Sequence, residues 1–290
     1  MNMSLTTKTL SNRPTSDIVA ARRDTVRTEL LSLHRELESL PDLRPGQVAD
    51  DVFGRLVRLV LSVPHELAPA VLDDETVRAA GPRLRELCSR GESELERAWS
   101  ERIATARSPR DELARFPYAD NYRRLSRMEI GMLASAVGSR VRSLAFVGAG
   151  PLPLSALHLA GELDVAVDLV DHDPEALEAG ARVAGALGFG GLGRVRADAA
   201  DVDLGRYDVV VLAALVGGDA AGKARVLRRM AGSAKPGAVV LARSARGLRQ
   251  VLYPAVDVDA LDGYELLSVV HPVNDVINSA VLARVNTSEE

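Results

Sequence analysis

Residues 146–155 read FVGAGPLPLS. An apolar run enters a pair of glycines, and a helix-length segment follows. Glycines at such a turn let the backbone bend sharply and approach a ligand with no Cβ in the way. A dinucleotide-binding turn continues with a third glycine for close helix packing. Pro151, Leu152 and Pro153 stand there instead. The turn thus argues against a bound pyrophosphate. Two readings remain: a cradle for a ligand without phosphates, or a tight strand-to-helix turn holding nothing. Pro153 is expected at the first position of the next helix, whose amino end then points at the turn.

Working outward, LAFVG, VAVDLVD, GRVRADA, YDVVVLAAL, AVVLARS, YELLSVV and SAVLARV are short aliphatic runs, most of them separated by helix-length segments. Continuous apolar strands alternating with helices predict a parallel sheet buried on both faces. The last two runs are joined by HPVNDVIN, too short for a crossover helix. They should pair antiparallel at one edge. The expected fold is α/β: a class I Rossmann-like domain over 141–290, of the kind that binds S-adenosylmethionine (SAM), with an antiparallel edge hairpin. An all-helical N-terminal domain over 15–140 precedes it, expected to act as a lid and to hold the acceptor. There Ser16 is the expected N-cap of a helix ending before Pro41, and Pro82 the opening residue of another. Residues 1–14 are polar and expected to be a disordered tail.

Composition sets the class. The chain has 290 residues, 47% hydrophobic, and a net charge of −4, which gives no basic surface for nucleic acid. Aromatic residues are 3%, too few for base-stacking platforms. The one cysteine, Cys88, allows no internal disulfide. The five histidines show no metal-ligand spacing, so no metal is expected. No apolar leader and no membrane-length run are present, so a cytoplasmic location is expected, with no membrane partner. A homodimer is left open.

The second strand ends in Asp171, 21 residues after Gly150. A carboxylate there can accept both hydroxyls of an adenosine ribose. Asp173 and Pro174 read as the N-cap and first residue of the following helix. Asp198, after the third strand, is expected to accept an adenine amino group; its alternative is a solvated loop acid. With Gly148, Gly150, Pro151 and Ala214, these acids form the expected SAM wall. In PRLRELCSRGESELERAWSERIATA, Leu84, Leu87, Cys88, Leu95, Trp99 and Ile103 make an apolar stripe. Glu92 falls inside it, while Glu96 is expected on its rim. A carboxylate on a buried face is costly unless partnered, and burial raises its pKa towards that of a general base. The alternative is a structural salt bridge to Arg123 or Arg124. Gly91 thins the helix and is expected to admit a substrate backbone.

Several stretches carry a specific resemblance. FVGAGPLPLSALHLA, YDVVVLAALVGGD, LARSARGLRQVLYPAVD, YELLSVVHPVNDVINSAVLAR and FPYADNYRRLSRME are similar, in collinear blocks over about half the chain, to nicotianamine synthases. LCSRGESELE resembles that family's LCGEAEGLLE. The resemblance implies that SAM donates its 3-amino-3-carboxypropyl group, not its methyl, and leaves as 5′-methylthioadenosine. Repeated transfers build nicotianamine or a similar metallophore. The implied acceptor is a small-molecule amine: a SAM-derived aminobutyrate, a glutamate-like intermediate or an amino acid. Alternatives are a single transfer onto histidine, cyclisation of SAM to azetidine-2-carboxylate, or, more distantly, methyl transfer.

The resemblance also implies roles. Glu92 lies in the stretch that resembles the family's amine-contacting carboxylate. Tyr118 assists it as a proton relay, or else is an anchoring aromatic. Asn121 and Tyr122 bind the acceptor. Arg243, read from its place at the end of the fifth strand, on the functional edge of the sheet, is expected to grip a carboxylate; its alternative is a surface arginine paired with a nearby acid. Where the family has FPYYNNY, this chain has FPYADNY, so Ala119 and Asp120 are expected to alter the acceptor pocket. Arg246 stands where the family often has histidine, and either adds charge to the same edge or pairs with a nearby acid. His271, Asn274 and Asn278 fall in the hairpin loop, His271 as a hydrogen-bonder.

Overall fold

The computed structural model describes residues 13–137 and 141–287. Six helices come first: α1 (Arg13–Ser39), α2 (Gln47–Ser62), α3 (Ala68–Leu72), α4 (Glu75–Thr105), α5 (Pro109–Leu113) and α6 (Ala119–Val137). The alternating part follows as β1 (Ser143–Val147), α7 (Leu154–Leu163), β2 (Ala166–Asp171), α8 (Pro174–Ala186), β3 (Gly193–Arg196), β4 (Val209–Leu212), α9 (Ala220–Ser233), β5 (Val239–Ser244), β6 (Tyr264–Val270) and β7 (Ser279–Val285). All seven expected strands form.

The sheet runs β3-β2-β1-β4-β5-β7-β6. β1 to β5 are parallel, while β7 lies antiparallel between β5 and β6. The strand period of two explains the burial. Ala145 and Val147 of β1 face the side covered by Val226, Leu227 and Met230 of α9. Leu144 and Phe146 face the side covered by Leu159 of α7, Leu177 of α8 and Leu133 of α6. Both faces are dry, as the near-continuous apolar strands require.

The helical layer does not keep to itself. Leu30, Leu33, Leu56 and Leu84 share a core with Leu248, Val251, Leu252 and Ile277 from the loops beyond β5 and β6. Trp99, Ile103 and Phe116 share another with Leu154 of α7 and Val183 of α8. α4 is thereby fastened over the carboxyl edge of the sheet.

Three helix starts differ from expectation. α1 begins at Arg13, so the backbone is helical two residues before the expected tail ends, and Ser16 lies inside the helix; residues 1–12 lie outside the described residues. α4 begins about two turns before Pro82, where the Asp74 carboxylate accepts from the backbone N–H groups of Thr76 and Val77. Pro82 is exposed, so water can serve the carbonyl that its missing N–H leaves unpaired. Pro153 is the N-cap of α7, with ψ 47°, because the Leu154 N–H turns back to the Leu152 carbonyl at 2.8 Å. Asp173 and Pro174 open α8 as expected, with the Asp173 carboxylate accepting from the Glu175 N–H.

Candidate active site

The carboxyl ends of β1, β2, β4 and β5 open onto a cavity of about 1050 Å³, covered by α2, α4 and the start of α6. Sites for one small molecule span about 300–1,000 Å³. This cavity has room for a donor and an acceptor together.

Its sheet side is the glycine turn. Gly148 has φ 81° and Gly150 φ 65°, both in the left-handed region. A Cβ on Gly148 would stand 2.4 Å from Val216 Cγ2, and one on Gly150 2.9 Å from Glu96 Oε2. Asp171 pins the turn: Oδ2 accepts from the Gly150 N–H at 2.9 Å, and Oδ1 from the Asp173 N–H at 3.0 Å. Each oxygen keeps a further lone pair for a ligand. Asp198 sits exposed at the mouth, where Oδ1 accepts from the Ala200 N–H at 2.8 Å. Ala214 is buried beside the turn and its carbonyl accepts from Lys223 at 2.6 Å.

The helical side carries the titratable groups. Glu92 and Glu96 lie one turn apart on α4. The Tyr253 hydroxyl donates to Glu92 Oε2 at 2.8 Å, and the Tyr122 hydroxyl to Glu96 Oε1 at 2.7 Å. Burial raises Glu92, opposed by that tyrosine and by the Arg243 charge. Burial, then the Glu92 charge, pushes Glu96 up to about 8. Glu96 was expected on the rim of α4. It is half-buried there, with the glycine turn and Tyr122 closing over the helix on that side. Tyr118 is raised by burial and then by Glu92; its hydroxyl has no partner among the described residues. Phe116 holds both phenols, edge-on to Tyr118 at 6.0 Å and tilted against Tyr122 at 6.0 Å.

Arg243 and Glu129 form the floor. Arg243 Nε and Nη2 donate to the two Glu129 oxygens at 2.7 and 2.9 Å, with both residues buried. Burial alone would lower Arg243, but Glu129 outweighs it and holds the guanidinium above its ordinary value. The carboxylate that Arg243 grips here is therefore one of its own chain, from α6. Its Nη1 makes no hydrogen bond among the described residues. Lys223 is fully buried beneath, donating to the carbonyls of Ala213, Ala214 and Arg243 at 3.3, 2.6 and 2.9 Å. Burial pulls it down to about 7, yet three acceptors match the three donors of an ammonium. Asn278, 7% exposed, lines the same floor, and its side-chain nitrogen has no partner.

Every residue assigned from the sequence to the SAM wall, to base chemistry or to acceptor binding borders this one cavity. Other expectations change. Arg123 pairs with Asp120 and Arg124 with Asp275, so neither reaches Glu92. Gly91 borders the cavity, and the space beside it is taken by the Phe53 ring, which a Cβ would meet at 2.2 Å. Asp120 is exposed and bound to Arg123, and Ala119 packs with the Trp99–Phe116 cluster, so neither residue of the FPYADNY departure itself borders the cavity. Asn121 borders the cavity, but its side-chain nitrogen donates to the Asp275 carbonyl at 2.7 Å, tying α6 to the hairpin loop. Arg246 is exposed and outside the cavity wall. His271 bonds Ser279 at 2.9 Å, as a loop hydrogen-bonder should.

Sequence reasoning missed Glu96, Tyr253, Glu129, Lys223 and Asn278 as neighbours of the site. The four-residue spacing of Glu92 and Glu96 was the available signal for the first. The others needed tertiary pairing to be seen. No helix among the described residues is long and apolar enough to cross a membrane.

Comparisons with known proteins agree with one another. A family model described as nicotianamine synthase protein matches residues 20–289. The chain is 39% identical over 272 residues to nicotianamine synthase 9 of Hordeum vulgare, covering 88% of this chain and 77% of that one. It is 31% identical over 288 residues to nicotianamine synthase 2 of Arabidopsis thaliana, covering 92% and 85%. Among solved structures, MtNAS in complex with MTA and tNA superposes with a TM-score of 0.78 at 23% identity, covering 91% of this chain and 98% of that one, which shows the shared fold.

Proposed function

The chain belongs to the nicotianamine synthase family and is a SAM-dependent 3-amino-3-carboxypropyl transferase; from that premise we propose how its residues divide the work. Gly148, Gly150, Pro151 and Ala214 make the donor wall, Asp171 takes the ribose hydroxyls, and Asp198 takes the adenine amino group. Glu92 is the acceptor-amine base, assisted by Tyr118. Tyr122, Asn121 and Arg243 position the acceptor, Arg243 through the guanidinium nitrogen that Glu129 leaves free. The helical layer over 15–140 acts as the lid that keeps water from a reactive sulfonium.

The observation that carries this reading is Glu92. It is a half-buried carboxylate that burial nonetheless pushes up, with one tyrosine partner and no salt bridge among the described residues, in a cavity large enough for two substrates. In the transfer, the acceptor nitrogen bonds to Cγ of the donor and the sulfur–Cγ bond breaks. The electron pair stays on sulfur as methylthioadenosine leaves. Glu92 takes the proton that the amine must lose. A raised pKa suits it to that task near neutral pH. Which of three sulfonium carbons reacts is a matter of in-line positioning, and that is what the helical wall supplies.

The acceptor is a small-molecule amine, and the product a nicotianamine-type metallophore built from SAM alone by repeated transfer. A cytoplasmic setting suits Cys88, whose thiol burial and the Glu92 charge push up to about 12. Mass spectrometry of the products tests this reading. SAM alone should yield an amine made of linked aminocarboxypropyl units. A product that forms only when histidine is added would replace repetition with a single transfer.

A further inference from the structure

Glu92 accounts for one proton and one amine. The wall holds a second carboxylate of the same kind, with its own tyrosine, that the transfer as described does not use. Glu96 is one helical turn from Glu92, and the two differ in what lies beside them. Glu92 faces Tyr253 and adjoins Gly91, against which Phe53 packs, away from the sheet. Glu96 Oε2 faces the glycine turn, where a Cβ on Gly150 would stand 2.9 Å from it. Asp171, at the expected ribose site, raises Glu96 and is not among the groups that shift Glu92. Glu96 is thus at the donor end and Glu92 at the acceptor end.

The arginines on the cavity wall are already engaged elsewhere: Arg97 pairs with Asp173 and Glu175, and Arg102 with Glu112. Arg243 is already bound to Glu129, and Lys223 is spent on three carbonyls. Two half-buried carboxylates, each held by a tyrosine but by no salt bridge among the described residues, therefore wait on positive charge from a ligand. Two donors wait as well: Arg243 Nη1 and the nitrogen of Asn278, which is more than nine-tenths buried. Unpaired buried acceptors and donors around one space describe a receptor for amino-acid zwitterions.

Spacing then selects the ligand atoms. Positions four apart on a helix face put Cβ atoms about 5–6 Å apart. The unit that is transferred ends up as N–Cγ–Cβ–Cα–N, whose two nitrogens lie roughly 5 Å apart from ordinary bond lengths. We propose that Glu96 anchors the α-ammonium of the 3-amino-3-carboxypropyl group while Glu92 receives the attacking amine, so that one turn of α4 measures the unit and sets Cγ in line. This rests on the transfer assigned above. It makes Glu96 a specificity-determining residue: it holds the group that moves, and Tyr122 holds Glu96. Arrival of the ammonium supplies the charge that lets Glu96 ionise despite its burial.

The test compares three ligands on wild-type protein and Glu96→Gln by calorimetry: SAM, its analogue with hydrogen in place of the α-ammonium, and methylthioadenosine. Wild type should prefer SAM to the desamino analogue by about tenfold or more, the weight of one charge-assisted hydrogen bond. Glu96→Gln should bind both alike, and bind methylthioadenosine as wild type does. Equal weakening of SAM and the desamino analogue by the substitution would overturn the proposal, as would weakened methylthioadenosine binding. Tyr122→Phe, which leaves the acid in place, should shrink the same preference part-way; an unchanged preference there contradicts the anchoring. Methylthioadenosine release by wild type, assayed alongside, tests the transfer reaction separately from the ruler.

Discussion

The two sides of the cavity are built on opposite terms. On the sheet side, the polar groups of the turn have protein partners already. The Gly148 and Ala149 N–H groups reach the Val170 carbonyl, Gly150 and Asp173 reach Asp171, and the Ala214 carbonyl holds Lys223. On the helical side, Glu92 and Glu96 are held by tyrosines but not neutralised, and burial raises both. A satisfied edge is a rigid platform that gains little from a ligand's charge. An unneutralised wall is poised for charge that comes and goes during a reaction. In the proposed reading, the first holds the donor and the second selects which carbon is attacked.

The largest effect should come from the unneutralised wall. Glu92→Gln should cut turnover by about 10²–10⁴, the usual weight of a positioned base. SAM affinity should stay within about threefold. A parallel loss of SAM binding and folding stability would make Glu92 a scaffold residue and erase the contrast.

Next is the floor that both sides share. Glu129→Ala leaves Arg243 buried and unpaired, which should cost about 3–5 kcal/mol in urea unfolding. A cost under about 1 kcal/mol would mean that Arg243 turns to solvent and was never fixed in place. Smaller again is the platform itself. Gly148→Ala forces a Cβ into a left-handed residue and against Val216, and should destabilise by about 1–3 kcal/mol while weakening SAM binding. Little change in either would show that the turn adapts freely.

The subtlest test is pH. Glu96 keeps its proton in the folded chain up to about 8, against 4.5 in the unfolded one. The stability tied to that proton is full below about 4.5 and is lost as pH rises through about 8. Thermal midpoints of the ligand-free protein should fall across that window, and less steeply for Glu96→Gln. Identical slopes would take Glu96 out of the unneutralised wall.

The same contrast explains what could be read in advance. The sheet side was legible because its signals are local: period-two apolar runs, two glycines, and an acid at the end of β2. Even its error at Pro153 is one residue. The helical side was only half legible. The stripe on α4 exposed Glu92, since one carboxylate among leucines stands out. Glu96 falls near the edge of that stripe, and only the turn at Gly150 and Tyr122 of α6 decide how far it is covered. Tyr253 sits in LYPAVD with nothing local to link it to a helix 161 residues away in the chain. Arg243 was found as a strand-end cation, but its partner Glu129 lies 114 residues off. Asp120 misled because a charge in a pocket motif reads as a charge in the pocket, while its side chain in fact turns outward to Arg123.

The most direct test of the division between platform and selector is the fate of SAM carrying different isotopes on its methyl and on Cγ. The methyl label should be recovered in methylthioadenosine and the Cγ label in the amine product. Methyl label on the acceptor, with the Cγ label left in S-adenosylhomocysteine, would contradict it.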